Sequence, residues 1–382
     1  MIYLDNAATS FPKPASVIEA MVRFQEASAG NPGRSGHALA TAAQRTVDGC
    51  RLALARLFGA EEPSRIAFTL NATDAINIAL KGTLSPGDHV VTTSMEHNAV
   101  ARPLRGLRDR GVEVTYVQAG SDGVVDPVEV RSALRPNTKV VGILHASNVT
   151  GAIQPIAEVG RLAREHEALF LADAAQSAGC VEIDVQESCI DLLACSGHKG
   201  LLGPTGTGLL YVGPRADVAP FREGGTGSQS ELDEQPMHLP DRLEAGTLNV
   251  TGIAGLSAGL AYIAKETVAR IRAHEAEMST RLRDGLEHIP GLTLYGPADA
   301  AQRTSVVSFT MAGLDPADIA AILDTSFGIA VRPGLHCAPL AHRTIGTFPR
   351  GTVRMSPGHF TTIQDIDAAV EAVASVQEQL GG

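Results

Sequence analysis

The 382-residue sequence predicts an α/β fold: a mostly parallel sheet with helices on both faces, followed by a smaller α+β part. Three observations carry this. Near-continuous apolar runs at 89–93, 113–117, 139–145, 169–172, 192–195 and 208–212 alternate in places with helical patterns at 99–110, 126–134 and 156–166. Parallel strands buried on both faces read this way. Polar clusters sit at the carboxyl ends of several runs, where open α/β sheets take ligands: Glu96-His97-Asn98, Ser147-Asn148, Asp173 with Gln176, and His198-Lys199. Past Gly246-Thr247 the pattern changes to a long helical region at 253–289, strands at 293–295, 305–311 and 352–356, and helices at 316–327 and 363–380.

Before the alternating part, the chain opens with a short strand, a turn around 11–14 and a helix at 15–27. Residues 30–37 (GNPGRSGH) are too rich in Gly and Pro for regular structure. A long helical pattern at 39–58 carries Leu52, Leu54, Leu57 and Phe58 near its end. A strand at 65–70 then leads through the polar turn Asn71-Ala72-Thr73-Asp74 to a helix at 75–81.

Composition removes several function classes. A net charge of -11 argues against binding a phosphate backbone, and the absence of Trp argues against stacking on single-stranded nucleic acid. No apolar run reaches the length of a membrane span, and MIYLDNAAT lacks the basic and apolar regions of a signal peptide. Five scattered cysteines with no CxxC pair argue against a disulfide framework or a zinc site and fit a reducing cytoplasm. Cys50, Cys180, Cys189 and Cys195 lie in or near regular patterns and read as structural, whereas Cys337 stands in a polar, loop-like setting. His336, Cys337 and His342 lack a fourth partner at metal-ligand spacing, so no metal is expected.

Ser196-Gly197-His198-Lys199 follows a short apolar run and precedes the glycine-laced GLLGPTGTG. A lysine held there can form a Schiff base with a carbonyl cofactor if burial yields a free amine. GPTGTG precedes a strand instead of opening a helix, so it is no dinucleotide fingerprint. Asp173 ends an apolar strand, where a carboxylate needs a partner; a protonated pyridine nitrogen is one and a helix N–H another. Asn71-Ala72-Thr73 starts a helix whose N–H groups favour a phosphate or serve only as a cap. His97 follows a strand, as a ring-stacking or proton-moving imidazole or as a solvated loop residue. Asn148 and Gln176 can hydrogen-bond a phenolic oxygen or fill turns.

In this order, with LADAAQS, SGHKGLLGPTGTG, MEHNA and ASNVTG, the chain resembles the class V aminotransferase family of pyridoxal-phosphate enzymes, in its cysteine desulfurase and selenocysteine lyase branch. The resemblance runs from YLDNAAT to VRMSPGHF. It implies the PLP-dependent transferase fold (type I), with a large domain (15–250) around a mostly parallel seven-stranded sheet. A small α+β C-terminal domain (251–382) would be joined by residues 1–14. The implied cofactor is pyridoxal 5'-phosphate, with Lys199 holding it, Asp173 on its ring nitrogen, His97 stacked on the ring, and Gln176 and Asn148 beside its hydroxyl. Ala72, Thr73, Ser196 and His198 match phosphate-binding positions. EAGTLN resembles the family's EAGTPN with Leu248 in place of proline, and implies that Thr247 reaches a phosphate across a homodimer interface. Residues 224–239 are candidates to approach a neighbouring subunit's site.

Arg354 matches the arginine that grips a substrate carboxylate, with Asn148, Arg332 and Asn6 as further substrate-binding positions. The family's Tyr-Asn-Thr ending reads Phe360-Thr361-Thr362 here. Arg332-Pro333-Gly334-Leu335-His336-Cys337-Ala338 resembles the R-x-G-x-H-C-A segment of the shorter-loop desulfurases. It implies that Cys337 takes sulfur as a thiolate, its pKa lowered by His336 and Arg332. The expected activity is conversion of L-cysteine to L-alanine with transfer of the Cys337-bound sulfur to an acceptor protein or thiol. L-selenocysteine lysis, an epimerising or β-eliminating offshoot, and a non-catalytic relative in a sulfur pathway are the alternatives.

Overall fold

The structure, a computed structural model, describes residues 1–33, 36–229, 231 and 233–380. Residues 34 and 35 of the expected 30–37 loop, and 230 and 232 of the 224–239 segment, lie outside the described residues.

The chain runs β1 (Ile2–Tyr3), α1 (Ala15–Ala27), α2 (Ala38–Phe58), β2 (Ile66–Thr69), α3 (Ala72–Thr83), β3 (His89–Thr93) and α4 (Asn98–Arg108). There follow β4 (Glu113–Val117), α5 (Pro127–Ala133), β5 (Thr138–Leu144), α6 (Ile156–Glu165), β6 (Leu169–Asp173), β7 (Leu192–Ser196) and β8 (Gly208–Val212). The last third holds α7 (Val250–Glu266), α8 (Val268–Glu287), β9 (Leu292–Tyr295), β10 (Val307–Met311), α9 (Pro316–Phe327) and β11 (Ile329–Ala330). It closes with β12 (Arg332–Gly334), α10 (Pro339–Thr344), β13 (Thr352–Met355) and α11 (Ile363–Leu380).

Seven strands form the expected large sheet, in the order β2-β8-β7-β6-β5-β3-β4. Strands β7, β6, β5, β3 and β4 pair in parallel, and β8 runs antiparallel to both β7 and β2. Neighbouring residues on each strand supply opposite faces. Val91, Val141, Phe170 and Leu193 pack with α2, α6 and α7, while Val90, Val140, Leu171 and Leu192 pack with α3 and α4. Both faces are dry, which is why these strands read as continuous apolar runs.

A second sheet, β12-β13-β10-β9, is antiparallel. Its core joins Met278, Leu282, Phe309, Leu323, Val353 and Val373 with Leu4 from the other end of the chain. Leu4 arrives there because β1 pairs in parallel with β11, and because the Ser356 N–H donates to the Leu4 carbonyl at 2.7 Å. The helix expected at 253–289 is two helices. Thr267 adopts φ 68°, a left-handed conformation that ends α7, and its hydroxyl accepts from the Arg270 N–H to start α8. The strands β11 and β12 and the helix α10 are too short to show periodicity.

A buried ion pair fastens α2 to the segment before α7. Arg51 on α2 meets Glu244 through two bonds, of 2.8 and 3.0 Å, and Glu244 also accepts the Phe68 N–H of β2 at 2.6 Å. No helix among the described residues is long and apolar enough to cross a membrane.

Candidate active site

The carboxyl ends of β2, β3, β5, β6 and β7 open onto one cavity of about 290 Å³. Its wall includes Ala72, Thr73, His97, Asn148, Asp173, Gln176, Ser196, His198 and Lys199. Of the ten positions expected to bind the cofactor, nine share this wall; the tenth, Thr247, does not.

Asp173 is the last residue of β6 and is buried, with Oδ1 accepting the Ala175 N–H at 2.9 Å. Burial pushes its carboxyl up, while that hydrogen bond and then Lys199 pull it down. Lys199 follows β7, and burial lowers its amine to about 8 against the pull of Asp173. Such an amine is neutral in roughly a tenth of molecules at pH 7, far more than an ordinary lysine, and the neutral form is the one a nucleophile or base requires.

The loop carrying Lys199 is held by the N-terminal segment. The Ser10 hydroxyl donates to the Lys199 carbonyl at 2.9 Å, and the Ser10 N–H and Thr9 hydroxyl donate to the His198 carbonyl, each at 3.1 Å. The Lys13 amine adds a bond to the same His198 carbonyl at 2.7 Å. Thr9, Ser10 and Lys13 were not legible as site residues, since their partners are backbone atoms some 190 residues on.

Helix α3 begins at Ala72, ahead of the expected residue 75, because the Asn71 side chain caps it by accepting the Asp74 N–H at 3.0 Å. The Ala72 N–H donates to Ser196 Oγ at 3.0 Å, joining the helix start to β7. Gly208 makes this approach possible: a Cβ there would lie 2.6 Å from the Asn71 Cα. The helix start, Ser196 and His198, whose Nδ1 is buried and unpartnered, all line this cavity. That donor set fits a phosphate.

His97 caps α4, its Nδ1 accepting the Ala99 N–H at 3.0 Å. Burial, and then Lys199, push it down to about 4, so the ring is neutral and carries its proton on Nε2. In the sequence its chain neighbour Glu96 reads only as part of a polar strand-end cluster. Glu96 is fully buried, accepts from the Thr93 hydroxyl at 2.6 Å and the Leu144 N–H at 3.2 Å, and is raised to about 8 by burial, with Asp173 acting in the same direction. Nothing in MEHNA distinguishes a buried glutamate from a solvated one.

Cys337 lies at the outer edge. It is exposed, at φ 60°, with its carbonyl accepting the Asn98 N–H at 2.8 Å and its Sγ 3.5 Å from Arg332 Nη2. A second cavity, of about 410 Å³, is lined by Cys337 together with Thr73, His97 and Ala99, which also line the first. The amine and the thiol therefore stand on adjoining spaces with a common wall. His336 is not the cationic neighbour expected for the thiol. It is buried, bonded to the Thr352 hydroxyl at 3.0 Å and pushed down to about 2 by burial, so Arg332 is the charge beside Cys337.

The substrate positions are more constrained than expected. Arg354 is fully buried, with Nη2 on Asp5 at 2.6 Å and Nη1 on the Asn148 carbonyl at 3.0 Å, leaving Nε unpartnered. Asn148 donates its amide to the His336 carbonyl at 2.7 Å, and Gln176 donates to the Ala7 carbonyl at 2.9 Å. Asn6 spends its amide on the Ser356 carbonyl and the Phe11 N–H and does not line the cavity. Thr247 is exposed on a separate cavity of about 550 Å³ that also touches Arg51, Thr226 and Glu244. No cluster of three or more metal-ligating side chains occurs among the described residues.

Comparison with known proteins follows the same lines. The Aminotransferase class-V family model matches residues 2–369. The chain is 37% identical to a protein of Methanothermobacter thermautotrophicus named "Probable cysteine desulfurase", over 98% of this chain and 94% of that one. It is 34% identical to "Cysteine desulfurase IscS" of Vibrio cholerae, over 99% and 93%. Among solved structures, the apo cysteine desulfurase of Thermococcus onnurineus superposes with a TM-score of 0.92 at 33% identity, over 99% of this chain and 95% of that one. Escherichia coli CsdA gives a TM-score of 0.88 at 31% identity, with the same coverage.

Proposed function

This chain belongs to the class-V aminotransferase family, and from that premise we propose that it is a pyridoxal-5'-phosphate-dependent cysteine desulfurase. It converts L-cysteine to L-alanine, takes the sulfur onto Cys337 as a persulfide and passes it to an acceptor. The observation that carries this reading is the common wall of Thr73, His97 and Ala99 between the cavity of Lys199 and Asp173 and that of Cys337.

The residues present fit the cofactor. Asp173 suits a ring nitrogen, Lys199 an aldehyde, and Ala72, Thr73, Ser196 and His198 a phosphate, with Gln176 and Asn148 as candidates for the ring hydroxyl. When bound, the cofactor supplies an electron sink that acidifies the substrate Cα–H and loosens the Cβ–S bond. Lys199, its amine lowered to about 8, takes the α-proton. Neutral His97 moves protons through its Nε2–H. Arg354 takes the substrate carboxylate along the edge that Asp5 now fills, and Arg332 stands 3.5 Å from the Cys337 sulfur that attacks the substrate sulfur.

The exposed Thr247 supports a homodimer in which it reaches the phosphate held by a second copy. Five free thiols support a reducing compartment, and we place the enzyme in the cytoplasm.

The test is alanine release from L-cysteine by the holoenzyme, wild type and Cys337→Ala. The variant is expected to lose cysteine turnover while still releasing selenium from L-selenocysteine. Unchanged cysteine turnover would rule out Cys337 as the sulfur acceptor.

A further inference from the structure

The outer cavity has a charge that sulfur acceptance by Cys337 does not use. Lys81 at the end of α3, Arg102 on α4 and Arg110 just beyond it line it with Cys337, Asn77 and Asn98, and no Asp or Glu is in the lining. Among the described residues neither Arg102 nor Arg110 forms an ion pair, whereas the neighbouring Arg105 pairs with Asp109 at 3.3 Å. Arg332 adds a further cation at the thiol. A formal net charge of -11 makes an acid-free cationic basin a local exception on this molecule, and such a basin concentrates anions. Its volume of about 410 Å³ is that of a small-molecule site.

We propose that this cavity binds the sulfur acceptor, and that the acceptor is a small thiol carrying one or more carboxylates. Arg102, Arg110 and Lys81 hold the carboxylates and set the acceptor's sulfur against the persulfide on Cys337. The acceptor thiol attacks the outer sulfur of that persulfide. A new S–S bond forms as the bond to Cys337 Sγ breaks, the electron pair leaves on Sγ, and the acceptor's proton ends there. The products are an acceptor persulfide and the Cys337 thiol, with no oxidant or reductant consumed.

The inference rests on the desulfurase reading, and the experiment separates the two. Single-turnover alanine release without added thiol tests the desulfurase; its absence would defeat that reading and this one with it. Sulfur transfer is then measured with mercaptosuccinate and with 2-mercaptoethanol, in wild type and in an Arg102→Gln/Arg110→Gln variant. The variant is expected to raise the KM for mercaptosuccinate about tenfold and to leave single-turnover alanine and 2-mercaptoethanol transfer unchanged. In wild type the preference for mercaptosuccinate should shrink as salt is raised, an arm that needs no variant. Equal KM changes for both thiols, or a preference indifferent to salt and to the two arginines, would overturn the proposal. So would transfer restricted to an acidic protein acceptor.

Discussion

Lys199 and Asp173 set each other's charge. Burial lowers the lysine to about 8, and the aspartate opposes that fall by favouring the ammonium. Only the neutral amine attacks an aldehyde, so capture of pyridoxal phosphate by the apoprotein should accelerate as the pH rises through about 8. Borohydride trapping followed by peptide mass measurement reads this out on Lys199 itself. Asp173→Asn removes the charge that holds the ammonium, so the midpoint should move to lower pH; an unmoved midpoint would mean that the two groups do not interact. Both residues were legible from LADAAQS and SGHKG because each motif is local. His336 shows the limit of such reading: the sequence places an imidazole beside Cys337, but only packing reveals that it is buried, neutral and turned to Thr352.

At the scale of elements, the start of α3 depends on how closely β8 lets it approach. Gly208 pairs with Thr69 on one side and Ser196 on the other, beneath the Asn71 backbone. A Cβ there meets main chain, which cannot swing aside. Gly208→Ala should therefore cost about 1–3 kcal/mol and weaken cofactor binding. Gly49→Ala, on an exposed turn of α2 with nothing within 4 Å, should instead stabilise by about 0.5–1 kcal/mol. Denaturant unfolding and cofactor titration of both variants check the contrast. Several element bounds could be read directly: α1, β3, β4, β8, α9 and α11 fall where the pattern put them. The break at Thr267 escaped because apolar periodicity continues across it, and the bend is a backbone feature of one residue.

For the molecule as a whole, buried charges add partner- and pH-dependent contributions to those of apolar packing. Glu244 neutralises Arg51 and accepts the Phe68 N–H, so Glu244→Ala, which strands a buried guanidinium, should cost about 3–5 kcal/mol. Glu275 on α8 is buried and raised from 4.5 to about 7, so the folded state holds a proton that the unfolded chain has lost. Its contribution is whole below about pH 4.5 and disappears as the pH climbs through about 7. Glu275→Gln should accordingly gain on wild type by on the order of 3 kcal/mol at pH 8, a gap that closes toward pH 4.5; a gap independent of pH would place the glutamate in water. Neither effect was visible in the sequence, where Glu244 reads as part of EAGTLN and Glu275 as one charge on a polar helix. The bond from Arg354 to Asp5 has its own corollary. A chain still emerging from the ribosome holds residue 5 long before residue 354 exists, so the Asp5–Arg354 pair forms only after β13 has been made. A nascent chain stalled before β13 would carry Lys199 and Asp173 yet lack the Arg354 proposed to hold the substrate carboxylate.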